Sequence, residues 1–236
     1  MGLTDIHTHI LFGVDDGAKN IGDSMGILDE EREQKVDKIV LTPHYGPKFG
    51  HPDAAMLKER YMELCERAAQ YYPEISLYLG SELYYQEKTV SDLDKGKALT
   101  MNNTRYVLTE FGVTDSYSYI YRAIQNLSYA GYIPIIAHAE RYESVFGHVE
   151  RVEELVDLGA YIQLNAESLT GGFFDRRTSF CKKLLKEGLM HFTGSDCHDL
   201  RERRPNMAQA AQILAKKKAF GILEDNPRNM LKGKSI

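Results

Sequence analysis

Cysteine is scarce in this 236-residue chain, which carries only Cys65, Cys181 and Cys197. Few, widely spaced and odd in number, they argue against a disulfide framework and a four-cysteine zinc site, and core packing accounts for Cys65 and Cys181. No apolar run approaches the roughly 20 residues that span a bilayer, and the N-terminal MGLTDIHTHI lacks the basic region and apolar core of a signal peptide. Gly2 stands where a myristoylated glycine would, but Ile6 occupies the position at which Ser or Thr is expected. The resulting expectation is a cytoplasmic protein without membrane insertion. An excess of positive charge is also missing: 29 Lys and Arg stand against 34 Asp and Glu, with no long basic stripe, so no nucleic-acid footprint is expected. No linker rich in Pro, Gly and Ser divides the chain, and residues 1–236 are expected to form a single domain of the size usual for an α/β barrel.

What the sequence does contain is an alternation of short apolar runs and amphipathic segments. Strands are predicted at 3–6, 38–42, 75–80, 105–110, 132–137, 160–165 and 189–194. Helices are predicted at 23–34, 52–71, 117–130, 149–158, 177–187, 206–218 and 222–231; in the second of these Leu57, Tyr61, Leu64 and Ala68 recur every three or four residues. This order favours one barrel-like α/β domain, with an open doubly wound sheet as the competing arrangement. Pro43 is expected to stop the second strand and leave His44 on a loop.

Five of the eight histidines fall just beyond predicted strands: His7 and His9, His44, His138 and His198. Glu82, Glu110 and Asp196 occupy the same kind of position. In a β/α barrel the strand ends share one rim, so residues almost the whole chain apart meet around one pocket. Mixed imidazole and carboxylate ligands suit Mn, Fe or Zn. A carboxylate buried after an apolar strand also needs a cation to offset its burial, and Glu110 is the favoured bridging acid. Asp16, in a turn-forming DDGAKN stretch, is either a turn residue, an outer ligand or a proton donor; Asp15 beside it shapes the loop. Arg141 is placed to clamp phosphoryl oxygens, or else pairs with Glu140 or Glu143. Arg203 and Arg204 face either an anion or solvent. Cys197 and Arg203 share the C-x5-R spacing of cysteine phosphatases, but the intervening residues hold no glycine and bring in Asp199 and Glu202, which would repel a phosphate dianion. Tyr84, Tyr85, Phe173 and Phe174 are candidates for an aromatic rim or for packing beneath loops.

Read in order, DIHTHIL at 5–11, GVDDGA at 13–18, TPH at 42–44, GSEL at 80–83, LTEF at 108–111, HAERY at 138–142 and GSDCH at 194–198 resemble the polymerase and histidinol phosphatase (PHP) superfamily. The closer resemblance is to its bacterial tyrosine-protein phosphatase branch, associated with capsule and exopolysaccharide synthesis. It implies the PHP fold, a distorted TIM-like (β/α)7 barrel with two or three divalent metal ions, Mn2+ foremost and Fe or Zn as alternatives. The implied ligands are His7, His9, His44, Glu82, Glu110, His138, Asp196 and His198, with Asp16 nearby and Arg141 on the substrate phosphate. The implied reaction is hydrolysis of phosphotyrosine by a metal-activated water, on the tail of a bacterial tyrosine kinase. A small-molecule phosphatase like that acting on histidinol phosphate shares the cluster and is the alternative; nucleic-acid processing is a more distant one. Ala139 stands where the family's fifth motif often has Pro, and Cys197 replaces a residue that is often small, which implies sensitivity to oxidation.

Overall fold

The computed structural model describes residues 2–172 and 174–236. Among the described residues nine strands are interspersed with helices: β1 (Leu3–Thr8), α1 (Ile21–Glu33), β2 (Val36–Leu41), β3 (His44–Tyr45), α2 (Ala54–Tyr71), β4 (Ser76–Leu79), β5 (Glu82–Tyr84) and α3 (Thr89–Asp94) form the first half. The second half holds β6 (Tyr106–Glu110), α4 (Tyr117–Tyr129), β7 (Ile133–Ile136), α5 (Val149–Asp157), β8 (Tyr161–Asn165), α6 (Ala166–Thr170), α7 (Arg176–Lys186), β9 (Phe192–Gly194), α8 (Met207–Lys216) and α9 (Asp225–Leu231). All ladders are parallel, in the orders β1-β2-β4 and β3-β5-β6-β7-β8-β9. The result is a curled parallel sheet with flanking helices.

Two expectations at the strands are corrected. Pro43 does not leave His44 on a loop. Proline removes one donor, but its carbonyl still accepts from the Glu82 amide at 3.1 Å, and the ladder resumes at once with His44 opposite Glu82. The third predicted strand ends at Leu79, and Glu82, expected only to lie beyond it, also begins an unexpected further strand, β5. At the other end, the helix expected over 222–231 starts only at Asp225. Pro227 explains this: it fits a first helical turn, whereas in a helix begun at Ile222 its ring would meet the Leu223 carbonyl.

Alternation along the strands separates two cores. Ile6, Val40, Leu108, Ile135, Ala137 and Phe192 pack inside the curl, with Met230 and Leu231 of α9. Their neighbours Ile39, Leu41, Val107, Ile136 and Ile162 face outward into a larger core with α1, α2, α4 and α5 through Ile27, Leu64, Ile124 and Val152. Strand β1 breaks the alternation. Asp5 pairs with Ile39 and Thr8 with Leu41, so three steps on β1 oppose two on β2, a bulge that re-aims the strand next to the site. Beyond β9 the chain returns to β1: Thr8 and Cys197 form a parallel bridge, His9 donates its amide to the Cys197 carbonyl, and Asp196 donates to the His7 carbonyl, both at 2.9 Å. Among the described residues no helix is long and apolar enough to cross a membrane.

Candidate metal centre

The eight strand-end residues meet at one end of the curl. His7 and His9 leave β1 with their Nε2 atoms 3.3 Å apart. Glu82 lies between four imidazoles: its Oε1 is 3.3 Å from His7 Nε2 and 2.8 Å from His138 Nε2, and its Oε2 is 3.3 Å from His9 Nε2 and 2.9 Å from His44 Nδ1. Asp196 Oδ1 approaches His7, His9 and His198 at 3.5 to 3.7 Å. Glu110 stands further out, 3.6 Å from His44 and 3.8 Å from His138. Glu82, not Glu110, thus has each carboxylate oxygen between a pair of histidines, the place of a bridging acid. Asp16 closes the outer side, with Oδ1 3.5 Å from His44 Nε2 and 3.4 Å from His198 Nε2.

Several of these separations are longer than a hydrogen bond and suit ligands sharing a cation. Two ligands at about 2.1 Å from one ion sit roughly 3.0 to 3.4 Å apart, the spacing of Glu82 from His7 and His9, whereas His138 and His44 lie at hydrogen-bond distance from it. Glu82 Oε2 and His198 Nε2 are buried yet have no directed hydrogen-bond partner, although an imidazole or carboxylate atom lies close to each. Three groups have ligand atoms mutually within 4.8 Å: His9, Asp16, His44 and His198; His7, His9 and Glu82; and His44, Glu82 and Glu110. The cluster is able to hold divalent metal.

Electrostatics follow from burial against proximity. Burial alone would push the Glu82 and Asp196 carboxyls up, but the surrounding histidines, His7 foremost, hold both well below the usual carboxylate range. Glu110 goes the other way, raised by burial and by the Glu82 charge. Burial, then the neighbouring His9, lowers His198 to about 4, which leaves a neutral imidazole. His9 is raised despite burial because Asp15 Oδ2 lies 2.8 Å from its Nδ1.

Residues that orient the ligands were mostly missed by sequence reading. Asp15 shapes its loop as expected, accepting from the Gly17 and His44 amides, and it also fixes the His9 ring. Gln163 Oε1 accepts from the His138 amide at 2.7 Å and lies 3.3 Å from His7 Nδ1. Asn165 donates to Asp196 Oδ2 at 3.0 Å, and the Tyr142 hydroxyl lies 3.3 Å from His138 Nδ1. Tyr142 sits in the HAERY stretch, a signal that was available; Gln163 and Asn165 follow no spacing rule. His138 and Asp196 themselves hold left-handed backbone, φ 32° and 56°, strain of the kind stored at functional sites.

Arg141 pairs with neither Glu140 nor Glu143: its Nη1 is 2.9 Å from Asp196 Oδ2, and its Nη2 is 3.5 Å from Glu167. Arg203 reaches the other Asp196 oxygen at 2.7 Å, while Arg204 pairs with Glu30. Both Arg141 and Arg203 line a cavity of about 510 Å³ with Asp16, His44, Glu82 and Glu110.

Cys197 is a correction to the expected oxidation sensitivity. It is fully buried, its thiol donates to Glu31 Oε1 at 3.7 Å, and burial followed by the Glu31 charge raises its pKa well above the ordinary thiol value. A protonated, inaccessible thiol is inert, which also removes it as a nucleophile. Beneath it, Asp5 accepts amides from His7 and Ser195 at 3.1 Å, and burial raises its carboxyl above the ordinary value against those bonds. Burial, then the Asp5 charge, raises Glu31 well above the ordinary carboxyl value. The folded state then binds more protons than the unfolded chain, so this contribution is complete below the unfolded pKa of about 4.3 and is lost as pH rises toward the folded one. Glu31→Gln is expected to flatten the fall of the urea midpoint with rising pH above about 5; an unchanged pH slope would show that the pair is ionised.

The model of the family "Capsular polysaccharide synthesis, CpsB/CapC" matches residues 3–232. The chain belongs to the CpsB/CapC family. Among the relatives of this CpsB/CapC member, the tyrosine-protein phosphatase CpsB of Streptococcus pneumoniae is 35% identical over 97% of this chain and 98% of its own. The tyrosine-protein phosphatase YwqE of Bacillus subtilis is 30% identical over 99% and 93%. A crystal structure from work on YwqE and S. pneumoniae CpsB, described as unique metal-dependent tyrosine phosphatases, matches with TM-score 0.91 and 29% identity, covering 99% of this chain and 96% of that one. The phosphotriesterase homology protein of Escherichia coli, 12% identical with TM-score 0.63 over 96% and 97%, shares the fold alone.

Proposed function

We propose that this CpsB/CapC member is a metal-dependent protein-tyrosine phosphatase, a single domain whose curled sheet is a distorted seven-strand (β/α)7 barrel. The observation that carries the reading is the placement of Glu82 among His7, His9, His44 and His138 at the base of a cavity walled by Arg141 and Arg203. Its resident ions are two or three divalent cations, Mn2+ first among them, held by His7, His9, His44, Glu82, Glu110, His138, Asp196 and His198, with Asp16 as an outer ligand. When bound, such ions supply Lewis acidity toward phosphoryl oxygens and lower the pKa of water. Arg141 contributes orientation: its guanidinium, now on Asp196, turns one edge to a non-bridging phosphate oxygen. Asp15, Gln163 and Tyr142 hold the histidine rings in the required orientation. Tyrosinate, with a pKa of about 10, departs with less help from an acid than an alkoxide needs, so a strong proton donor at Asp16 is dispensable.

The partner in this reading is the phosphotyrosine-bearing tail of a bacterial tyrosine kinase, met in the cytoplasm. A small amine-bearing phosphate ester is disfavoured by the cavity's acids. Asp16, Glu82, Glu110 and Asp196 are all engaged with histidine or arginine, and among the described lining residues no further acid stands ready for an ammonium group. Initial rates on a tyrosine-phosphorylated kinase-tail peptide and on histidinol phosphate, measured with one metal-depleted preparation reloaded with defined Mn2+, test the reading. A strong preference for the peptide is expected; preference for histidinol phosphate would overturn the substrate while keeping the metal chemistry.

A further inference from the structure

Two aromatic rings wall the cavity above the cluster, and the hydrolytic chemistry requires neither. Phe49, in the turn after β3, lies flat on the His44 imidazole, with ring centroids 4.2 Å apart and planes 2° from parallel. Tyr84, at the end of β5, lines the same cavity and is left 36% exposed. Tyr85, its neighbour in sequence, is instead buried against Phe111 and Tyr119. Phe173 lies outside the described residues, and Phe174 is not among the described residues lining the cavity.

Space has been cleared for Tyr84 at both of its ends. A Cβ at position 46 would come within 2.7 Å of the Tyr84 Cβ, and one at position 112 within 3.0 Å of its hydroxyl oxygen. Gly46 has extended backbone, φ 179°, which any residue adopts, and Gly112 is likewise outside the left-handed region. Gly46 therefore serves the Tyr84 side chain and not the turn of the chain, while Gly112 leaves room both for the Tyr84 hydroxyl and for the Asp115 carboxylate that accepts from its amide. A tyrosine held in a cleared slot yet kept partly exposed presents aromatic surface that the fold does not consume.

Position relative to the cluster gives that surface its use. One bridging oxygen separates phosphorus from the ring of an aryl phosphate, so a phosphoryl group on the cluster puts that ring in the first layer above it. Phe49, stacked directly on His44, and Tyr84 are in that layer. We propose that Phe49 and Tyr84 form an aryl subsite that grips the substrate ring, edge to face, and selects phosphotyrosine over esters of small aliphatic alcohols. The inference rests on the tyrosine-phosphatase reading and names the residues that make the selection. Lys48, which lines the same cavity, holds its ammonium 4.8 Å from the Phe49 centroid.

Non-hydrolysable ligands separate ring binding from leaving-group chemistry. Calorimetry on the Mn2+-loaded protein should show benzylphosphonate binding on the order of ten-fold more tightly than methylphosphonate, as one or two aromatic contacts provide. Tyr84→Ala and Phe49→Leu should each reduce that ratio several-fold and raise KM more than they lower kcat on the phosphotyrosine peptide, whereas Tyr84→Phe should preserve the ratio. Metal content of every variant, read by elemental analysis, guards against a disturbed His44. Equal affinity for the two phosphonates, or an equal loss for both in the variants, overturns the subsite even if the peptide is hydrolysed. A preserved benzyl preference in a protein that fails to hydrolyse the peptide overturns the tyrosine-phosphatase reading and leaves the subsite standing.

Discussion

Glu82→Ala is expected to lower kcat/KM on a phosphotyrosine peptide by more than about 100-fold, beyond the 10- to 100-fold typical of partners that merely orient a ligand, and to lower the bound metal in the same preparation. Both carboxylate oxygens of Glu82 lie within 3.3 Å of two imidazole nitrogens each, so the substitution removes the one acid common to two of the three ligand groups. Alanine leaves four imidazoles facing a void with no anion at its centre. Glu82→Gln keeps the volume and isolates the charge; it should share most of the loss. Elemental analysis beside initial rates checks both, and full metal content in Glu82→Ala would sink the bridging assignment.

Arg141→Ala should cost about 100- to 1,000-fold in kcat/KM, the range seen when one preorganised transition-state donor is lost, while bound metal stays at the wild-type level. Arg141→Lys should recover little of it, because an ammonium cannot present a planar two-donor edge to phosphate. Asp196 does not depend on Arg141 alone: Asn165 donates to the same Oδ2, and Arg203 pairs with Oδ1. If metal leaves Arg141→Ala in proportion to the activity, the arginine acts through Asp196 and not on the substrate.

The order of elements was readable because apolar runs end where the chemistry begins. DIHTH, TPH, GSEL, LTE, HAE and SDCH each stand at or next to a strand terminus, and all eight proposed ligands gather in one place. Local geometry was less legible. The bulge on β1, which puts Ile6 inside the curl while His7 still reaches Glu82, depends on pairing with β2 and leaves no mark on β1 itself. Pro43 does stand beyond the end of β2; what its missing donor did not reveal is that its carbonyl accepts from Glu82 and lets His44 open a further short ladder. The histidine-orienting partners were hidden for another reason. Gln163 lies 156 residues from His7, and a hydrogen bond over that separation has no periodicity to betray it. Apolar flanks pointed to Glu110 as the deeper acid, but the deeper one is Glu82, which starts a strand that only the tertiary ladder creates.

The junction of β1 with the chain after β9 also sets a schedule for biosynthesis. His7 and His9 are synthesised nearly 190 residues before the Asp196 and His198 that complete their surroundings, and the ties at Thr8 and Cys197 form only after those residues emerge. Ligand pairs this far apart in sequence close late and slowly, so the nascent chain carries two exposed histidines with no finished site through most of its translation. A metal ion held by ligands from both ends of the sheet would therefore bind only once β1 and the chain after β9 have met, and its binding would report that meeting.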